Sequence, residues 1–172
     1  MPVHNVGPSA QGAFKRISGQ IDLSEIQNAT VRKGYDLWES LRGARLFPSR
    51  AQMSPKALGP MLRNTVLVRV LDAGAEFQLR VIGDAIMIAQ GDQFQGLTTA
   101  EVEKQLPRYG TVLHRTYSLV FTEKQPAAFR GTYHRAADGR IFHHENVLLP
   151  LGESDEAPDH ILGVVVYRFS TR

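Results

Sequence analysis

The last part of the chain decides the fold, since residues 128–169 read AFRGTYHRAADGRIFHHENVLLPLGESDEAPDHILGVVVYRF. Apolar and polar side chains alternate from Phe129 to His134, which is typical of a strand with one buried face. Asp138-Gly139 follows and is the strongest short-range signal for a β-hairpin in the chain. Two further strands, Arg140 to Leu149 and His160 to Phe169, complete the stretch. It therefore predicts three consecutive antiparallel strands.

A second hairpin and several helices precede these strands. Thr65 to Leu71 is rich in β-branched residues, and a turn separates it from another apolar strand, Glu76 to Ile82. Short helical segments follow, and the longest helix is expected to run from beyond Pro107 to about Phe121. The order of elements predicts an α+β domain with a five-stranded antiparallel sheet flanked by helices.

An extra amphipathic helix is expected ahead of the sheet, over residues 24–43. Asp22 precedes a glutamate by three positions, a spacing typical of the capping box at a helix start. Phe47 to Arg50 contains a proline and is predicted to be a rigid, extended connector. Residues 1–22 contain several glycines and prolines, so we expect a flexible N-terminal tail, with residues 23–172 forming a single domain.

The composition narrows the class of protein. The chain has 172 residues, of which 42% are hydrophobic and 22% are charged, and this suits one globular domain with a sizeable core. It contains no cysteine, which excludes disulfides, thiolate metal sites, cysteine nucleophiles and the flavin–cysteine photoadduct. The net charge of +3 is too small to suggest a nucleic-acid surface, and no apolar stretch approaches the length of a membrane span. We therefore expect a cytoplasmic protein that contacts neither nucleic acid nor membrane.

Short motifs spread along the chain carry a family resemblance. They are Tyr35 and Trp38 leading into Leu41-Arg42, then Pro48-Ser49-Arg50, Pro55 with Leu58 and Leu62, Arg80-Val81-Ile82-Gly83, Gly91, Gly96, and Leu148-Leu149-Pro150-Leu151. In the order and spacing of these residues, the chain resembles a bacterial family of small, stand-alone PAS-like proteins from Ser24 to Phe169. Asp84 departs from the family pattern, which has a small hydroxylated residue after the glycine.

The resemblance implies a sensory or regulatory role. PAS domains sense a small molecule, a cofactor or a redox state, or they mediate protein–protein contacts, often as dimers. We therefore expect a signalling adaptor that forms a homodimer and acts through a partner signalling protein. Its candidate ligand is an unidentified small molecule bound non-covalently. We do not expect the protein to be an enzyme. Two alternatives stay open: an enzyme that uses the same pocket, and a ligand-free structural interaction protein.

A ligand pocket is expected between the sheet and the longest helix. Its candidate lining residues are Phe77, Arg80, Tyr109, Leu113, Tyr117, Phe129 and Tyr133. The alternative is that these residues simply fill the core. Arg80 differs from the others, because a lone arginine in a buried strand needs an anionic ligand or an acidic partner, for which Asp84 and Glu145 are the candidates.

The leading helix and the connector form the candidate interaction surface. Its residues are Tyr35, Trp38, Leu41, Arg42, Pro48 and Arg50. Tryptophan and arginine are frequent interface anchors, although a tryptophan on an amphipathic helix also suits a core. The sequence leaves open whether this helix packs on its own sheet or on a second copy of the chain.

The histidines are candidates for cofactor and metal chemistry. His114 lies in the longest helix and is the candidate haem ligand. Its position at the edge of the apolar stripe favours a half-exposed residue rather than a haem ligand. We therefore expect that the protein requires no cofactor. His143 and His144 point to opposite faces of their strand, so a metal site would need His134 across the hairpin together with Glu145. A polar patch is the simpler interpretation, and we predict no metal site.

The chain also lacks the short motifs of hydrolases, metalloproteases and nucleotide-binding enzymes.

Overall fold

A six-stranded antiparallel sheet organises the molecule. The computed structural model describes residues 17–91, 93–135 and 138–170. The strands are β1 (Gln20–Ile21), β2 (Thr65–Leu71), β3 (Glu76–Ile82), β4 (Ala127–His134), β5 (Ile141–Leu151) and β6 (His160–Phe169), in the spatial order β1-β4-β5-β6-β2-β3. The α-helices are α1 (Ala29–Arg42), α2 (Pro55–Leu58), α3 (Asp84–Gln90), α4 (Thr99–Gln105) and α5 (Tyr109–Glu123), with 3-10 turns at Leu23–Glu25, Gly59–Asn64 and Asp72–Gly74. No helix within these described ranges is long and apolar enough to cross a membrane.

The predicted α+β architecture is confirmed. β2 and β3 form one hairpin, three helices follow, and β4, β5 and β6 then pair in chain order. The predicted turn at Asp138-Gly139 joins β4 to β5. The sheet has six strands rather than the predicted five, because Gln20 pairs with Phe129 and Ile21 pairs with Ala128 at its edge.

The flexible tail predicted over residues 1–22 needs a correction at its C-terminal end. Gln20 and Ile21 form β1, and Ile17 packs against the core of the domain. Residues 1–16 lie outside the described residues. The sheet therefore begins within the segment that the glycines and prolines suggested was a tail.

The leading helix begins later than the predicted residue 24. The capping box of Asp22 is present, but it closes only a 3-10 turn, after which Ile26 has extended backbone. Asn28 caps α1 instead, since its side-chain oxygen accepts a hydrogen bond from the N–H of Thr30 (2.9 Å). Asparagine is among the best residues at this position, so the cap fixes the helix start four residues downstream of the capping-box glutamate.

Both faces of the sheet are buried, because alternate side chains enter different apolar clusters. On the inner face, which α3, α4 and α5 cover, lie Leu148 and Val165. On the outer face, which α1 covers, lie Val147, Leu149 and Val164. The sheet is therefore the middle layer of three, and neighbouring residues of β5 and β6 serve opposite sides of it.

A buried carboxylate attaches the start of α1 to the outer face. Glu145 accepts hydrogen bonds from the backbone N–H groups of Gln27 (2.9 Å) and Asn28 (2.6 Å), and its other oxygen lies 2.9 Å from Nη2 of Arg130. Burial by itself would raise the pKa of the Glu145 carboxyl, but the N–H of Asn28 and the Arg130 guanidinium hold it below its ordinary value. Glu145 is thus ionised and links β5 to the start of α1.

Glu145→Gln is expected to lower the free energy of unfolding at neutral pH by about 2 kcal/mol, because Arg130 loses its partner and the two backbone bonds lose their charge. Since the folded-state pKa lies below the ordinary value of 4.5, the carboxylate stabilises the fold above that pH, and the contribution disappears as the pH falls through the lowered pKa. Urea unfolding of wild type and variant at neutral and acidic pH measures this difference. The exposed Glu156→Gln is the control, and an equal gap between Glu145→Gln and wild type at both pH values would contradict the assignment.

Candidate functional site

A cleft of about 640 Å³ lies between α5 and the inner face of the sheet. The sheet side comes mainly from β4, β5 and β6, while α3 and the segment before α5 close two further sides. Most of the lining is aromatic or aliphatic and includes Ile86, Phe94, Tyr109, Leu113, Tyr117, Phe129, Tyr133, Leu148, Val165 and Tyr167. A concave, mainly apolar volume of this size suits a small organic molecule.

The cleft brings together five of the seven predicted pocket residues, namely Tyr109, Leu113, Tyr117, Phe129 and Tyr133. Phe77 does not line it. Its ring is fully buried behind the cleft and lies 5.7 Å from the ring of Tyr117, measured between centroids. Phe77 is therefore a core residue that supports the cleft wall.

Arg80 is exposed, so the expectation of a buried arginine that needs an anionic ligand is wrong. β3 is an edge strand, and the Arg80 side chain leaves the sheet toward solvent. Its two candidate partners pair elsewhere: Asp84 lies 3.4 Å from Arg63, and Glu145 lies 2.9 Å from Arg130. The apolar composition of the strand suggested burial that the sheet order does not provide.

A hydrogen-bonded group of tyrosines forms one end of the cleft. Nε2 of Gln90 donates to the hydroxyl oxygens of Tyr109 (2.7 Å) and Tyr167 (3.2 Å). The ring of Tyr133 lies between these two tyrosines, with centroids 5.5 Å and 5.8 Å away. Burial raises the pKa of Tyr109, Tyr117 and Tyr167, so their hydroxyl groups stay protonated at neutral pH. This end of the cleft offers hydrogen bonds and aromatic surface without charge.

Two polar side chains of β5 line the cleft. His144 and Asn146 lie two positions apart and face inward, whereas Glu145 between them faces α1. Nδ2 of Asn146 is 3.2 Å from Nδ1 of His144, and burial lowers the pKa of His144, which is therefore neutral at neutral pH. Oδ1 of Asn146 is buried and has no hydrogen-bond partner among the described residues. A buried amide oxygen of this kind is costly unless something pairs with it.

The histidines of the second hairpin do not assemble a metal site. His143 is exposed and His144 lines the cleft, which confirms that the two point to opposite faces. Their partners across the hairpin are Thr132 and Gly131, so the arrangement with His134 opposite one of them is wrong. Over residues 17–91, 93–135 and 138–170, no group of three or more His, Asp or Glu side chains is placed to hold a metal ion.

The cleft has little charge. Among the residues that the structure describes, no aspartate, glutamate or lysine lines it. Arg130 contributes to the lining, but its guanidinium donates to Glu145 and to the carbonyl oxygen of Glu25 (2.7 Å). A charged ligand would therefore lose its hydration in the cleft without gaining an opposite charge.

His114, the candidate haem ligand, lies outside the cleft lining. Its side chain is 41% exposed, as expected for the edge of the apolar stripe. Nδ1 of His114 lies 3.1 Å from Oγ1 of Thr99 and 3.7 Å from a carboxylate oxygen of Glu76. These contacts join α5 to α4 and β3, which is a structural role.

Two of the six predicted interface residues are buried within their own chain. Trp38 is 3% exposed, and its Nε1–H donates to the carbonyl oxygen of Pro150 (2.8 Å). Pro48 is buried as well. The leading helix thus packs on its own sheet, and neither side chain is available to anchor an interface.

The other four predicted interface residues reach the surface. Tyr35, Leu41 and Arg42 are partly exposed on α1, and Arg50 is exposed in the following segment. The guanidinium of Arg32 lies 5.9 Å from the ring centre of Tyr35, which is a cation–π distance. Tyr35 and Leu41 also pack against the apolar cluster beneath α1, so only part of each side chain reaches the surface.

The cleft residues that sequence reasoning did not assign to the pocket include the polar side chains of Gln90, His144, Asn146 and Tyr167. Strand periodicity contained a signal for two of them. Counting back in twos from the apolar Leu148 places Asn146 and His144 on the same face of β5. No local pattern marks Gln90 or Tyr167, which approach the cleft from α3 and from the end of β6.

Comparison with known proteins identifies the family. A family model described as a PAS domain matches residues 26–166, which is most of the chain. A search of curated proteins found no match. The matched span includes α1, the whole of β2 to β5 and all of the cleft-lining helices. Together with the sheet order and the cleft beneath α5, this match shows that the chain belongs to the PAS domain family, whose members are in general sensory or regulatory domains.

Proposed function

We propose that this PAS domain protein is a cytoplasmic signalling adaptor that binds a small, uncharged molecule non-covalently in the cleft and acts through protein–protein contacts as a homodimer. The cleft carries the proposal. It is large enough for a small organic molecule, and it combines aromatic walls with a buried amide oxygen that no described residue satisfies.

The chemistry of the cleft favours binding over catalysis. Its tyrosines stay protonated, because burial raises the pKa of Tyr109, Tyr117 and Tyr167. Acid–base catalysis commonly uses a carboxylate, or a histidine that an acidic partner orients. His144 has Asn146 beside it rather than an acidic group, and no carboxylate from the described part of the chain lines the cleft. The proposal therefore includes no reaction.

Partner contacts are proposed for the exposed parts of α1 and of the segment after it, through Tyr35, Leu41, Arg42 and Arg50. Tyrosine and arginine are enriched among residues that contribute most to protein–protein binding. α1 is also tied to β5 through Glu145, and β5 lines the cleft with its adjacent residues. This surface is thus one through which occupancy of the cleft could reach a partner.

The test is native mass spectrometry of freshly purified wild type, Leu113→Trp and Arg115→Trp. Leu113 lines the cleft from α5, so an indole there occupies ligand volume, whereas Arg115 is exposed on the same helix and is the matched control. Wild type and Arg115→Trp are expected to retain a bound small molecule, and the bound fraction should fall by about tenfold or more in Leu113→Trp. The same spectra report whether the protein is a dimer.

Four results would each overturn a part of this proposal. A wild-type protein that never retains a small molecule would favour the ligand-free interaction protein, while a retained molecule that is chemically altered over time would favour the enzyme. A monomeric mass at all concentrations would remove the homodimer. Equal retention in Leu113→Trp and Arg115→Trp would place the bound molecule outside the cleft.

A further inference from the structure

β4 has an unpaired edge beyond the short strand β1. Just past β1, the N–H of Arg130 donates to the carbonyl oxygen of Gly19 (2.9 Å) and so points away from β5. Backbone groups alternate in direction along a strand, so the N–H and C=O groups of Thr132 and His134 point the same way. Both residues are exposed, and no backbone group from the described part of the chain pairs with them on that side. The sheet therefore ends here on open hydrogen-bonding groups.

The opposite edge of the sheet is covered. On β3, the N–H of Leu79 donates to the carbonyl oxygen of Leu97 (2.9 Å), and the N–H of Gly96 donates to the carbonyl oxygen of Leu79 (2.6 Å). Natural proteins usually protect edge strands in such ways, because an open edge is a template for pairing with another chain. The edge at Thr132 has no such cover among residues 17–91, 93–135 and 138–170. It is thus available to an added strand.

Depressions lie on both sides of this open edge. Gly131 and Thr132 line the cleft on the inner face, and they also line a shallow groove of about 580 Å³ on the outer face. Ile21 and His143 are further residues of the outer groove. A strand added beside β4 lies about 4.8 Å away, and its side chains alternate between the two faces. Consecutive side chains of an added strand therefore enter the cleft and the outer groove in turn.

The two depressions differ in polarity, and this difference sets the side-chain pattern of the added strand. The cleft is mainly apolar and includes Val112 and Leu113 of α5, whereas Thr132 and His143 belong to the outer groove. In antiparallel pairing, which β1 already uses on this edge, the residue opposite Thr132 places its side chain on the same outer face. The outward, polar residues of the added strand therefore form the hydrogen bonds to β4.

We infer that the open edge of β4 binds an extended peptide segment of a partner protein, antiparallel to β4, with apolar side chains in the cleft and polar side chains in the outer groove. Main-chain hydrogen bonds supply the affinity of such a site, and the alternating side chains supply its selectivity. The site shares no residue with the surface proposed on α1. It goes beyond the proposed function, because it requires no small molecule in the cleft.

The probe is the peptide acetyl-Lys-Thr-Val-Thr-Leu-Thr-Lys-amide, in which apolar residues alternate with threonine. Two further peptides carry backbone N-methyl groups, one on the threonines and the other on the valine and leucine. NMR titration of isotope-labelled wild type measures binding, and the parent peptide should shift the amide signals of Thr132 and His134 most. Methylation of the threonines should weaken binding about tenfold or more, because it removes the donors that face β4. Methylation of the valine and leucine should change binding by less than about twofold.

Thr132→Pro and Thr132→Val form a matched pair in the protein itself. Proline removes the N–H that faces the open edge and no hydrogen bond to β5, and edge strands tolerate proline at such positions. Valine keeps the N–H and the shape of the side chain. Thr132→Pro should therefore bind the parent peptide about fivefold more weakly than Thr132→Val does. Circular dichroism confirms folding, and the methylated peptides test the site on wild type whether or not Thr132→Pro folds.

Several outcomes overturn the inference. These are no binding of the parent peptide, equal binding of the two methylated peptides, equal binding by the two folded Thr132 variants, and signal shifts confined to other parts of the protein. Equal binding of acetyl-Lys-Thr-Thr-Val-Leu-Thr-Lys-amide, which lacks the alternation, removes the side-chain pattern.

Amide hydrogen exchange of the free protein tests whether the edge is open. Fast exchange at Thr132 and His134 is expected. Slow exchange only at high protein concentration would assign the edge to a second copy of the chain, and slow exchange at every concentration would assign it to another segment of the same chain. Either result overturns the peptide site, while the native mass spectra of Leu113→Trp test the cleft separately.

Discussion

Trp38→Ala is expected to lower the free energy of unfolding by about 4 kcal/mol, a large part of the stability of an ordinary domain. The indole is almost completely buried between α1 and the outer face of the sheet. Its removal leaves a cavity and leaves the carbonyl oxygen of Pro150 without the Nε1–H donor. Urea unfolding followed by circular dichroism measures the loss.

Two comparisons make the Trp38 experiment decisive. Trp38→Phe keeps most of the ring volume and removes the hydrogen bond, so it should cost about 2 kcal/mol. Leu46→Ala, at a leucine that is 47% exposed, should change little. Light scattering should give Trp38→Ala the same mass as wild type. A lower mass together with unchanged stability would instead place Trp38 at a contact between two copies of the chain.

Gly83→Ala is expected to destabilise the protein by about 3 kcal/mol, although it adds a single methyl group. A Cβ atom at this position would overlap the carbonyl oxygen of Arg63 and would lie 2.7 Å from that of Leu62. Both obstacles are backbone atoms, so no side chain can rotate away. The N–H of Gly83 also donates to the carbonyl oxygen of Thr65 (2.8 Å), and any shift that relieves the clash weakens this bond.

Gly131→Ala is the matched control for Gly83→Ala. Its Cβ would be 3.2 Å from Nε2 of His144, the far end of a side chain that can move, so the expected cost is below about 1 kcal/mol. Thermal unfolding of both variants by calorimetry provides the measurement. If the two alanine variants prove equally stable, the backbone contact between Gly83 and the 3-10 turn at Gly59–Asn64 does not constrain the fold.

The sequence predicted the fold well because strand signals in this chain are local. β-branched runs, the turn signal at Asp138-Gly139 and one long helical stripe indicated the order of the main elements, and the motif containing Gly83 contributed to the family resemblance. β1 was not predicted, because two residues are too few to show the alternation of side chains that indicates a strand. This strand forms only because the edge of β4 is available for pairing. The start of α1 was misplaced because two caps, Asp22 and Asn28, follow each other closely.

The candidate site was predictable only in part. Residues of α5 and β4 were found because their apolar periodicity faces the sheet, whereas Arg80 was misplaced because periodicity does not reveal which strand lies at the edge. The partners of Glu145 and Gln90 are remote in sequence. Gln27 is 118 positions from Glu145, and Tyr167 is 77 positions from Gln90, so only the folded chain brings these groups together.

β5 places a residue that lines the cleft and a residue that holds α1 at consecutive positions. Asn146 faces the cleft, and Glu145 holds the first residues of α1. Consecutive Cα atoms across a trans peptide stay about 3.8 Å apart, so the backbone cannot shift under one side chain without carrying the other along. A displacement of this part of β5 would therefore reach both the cleft and the start of α1.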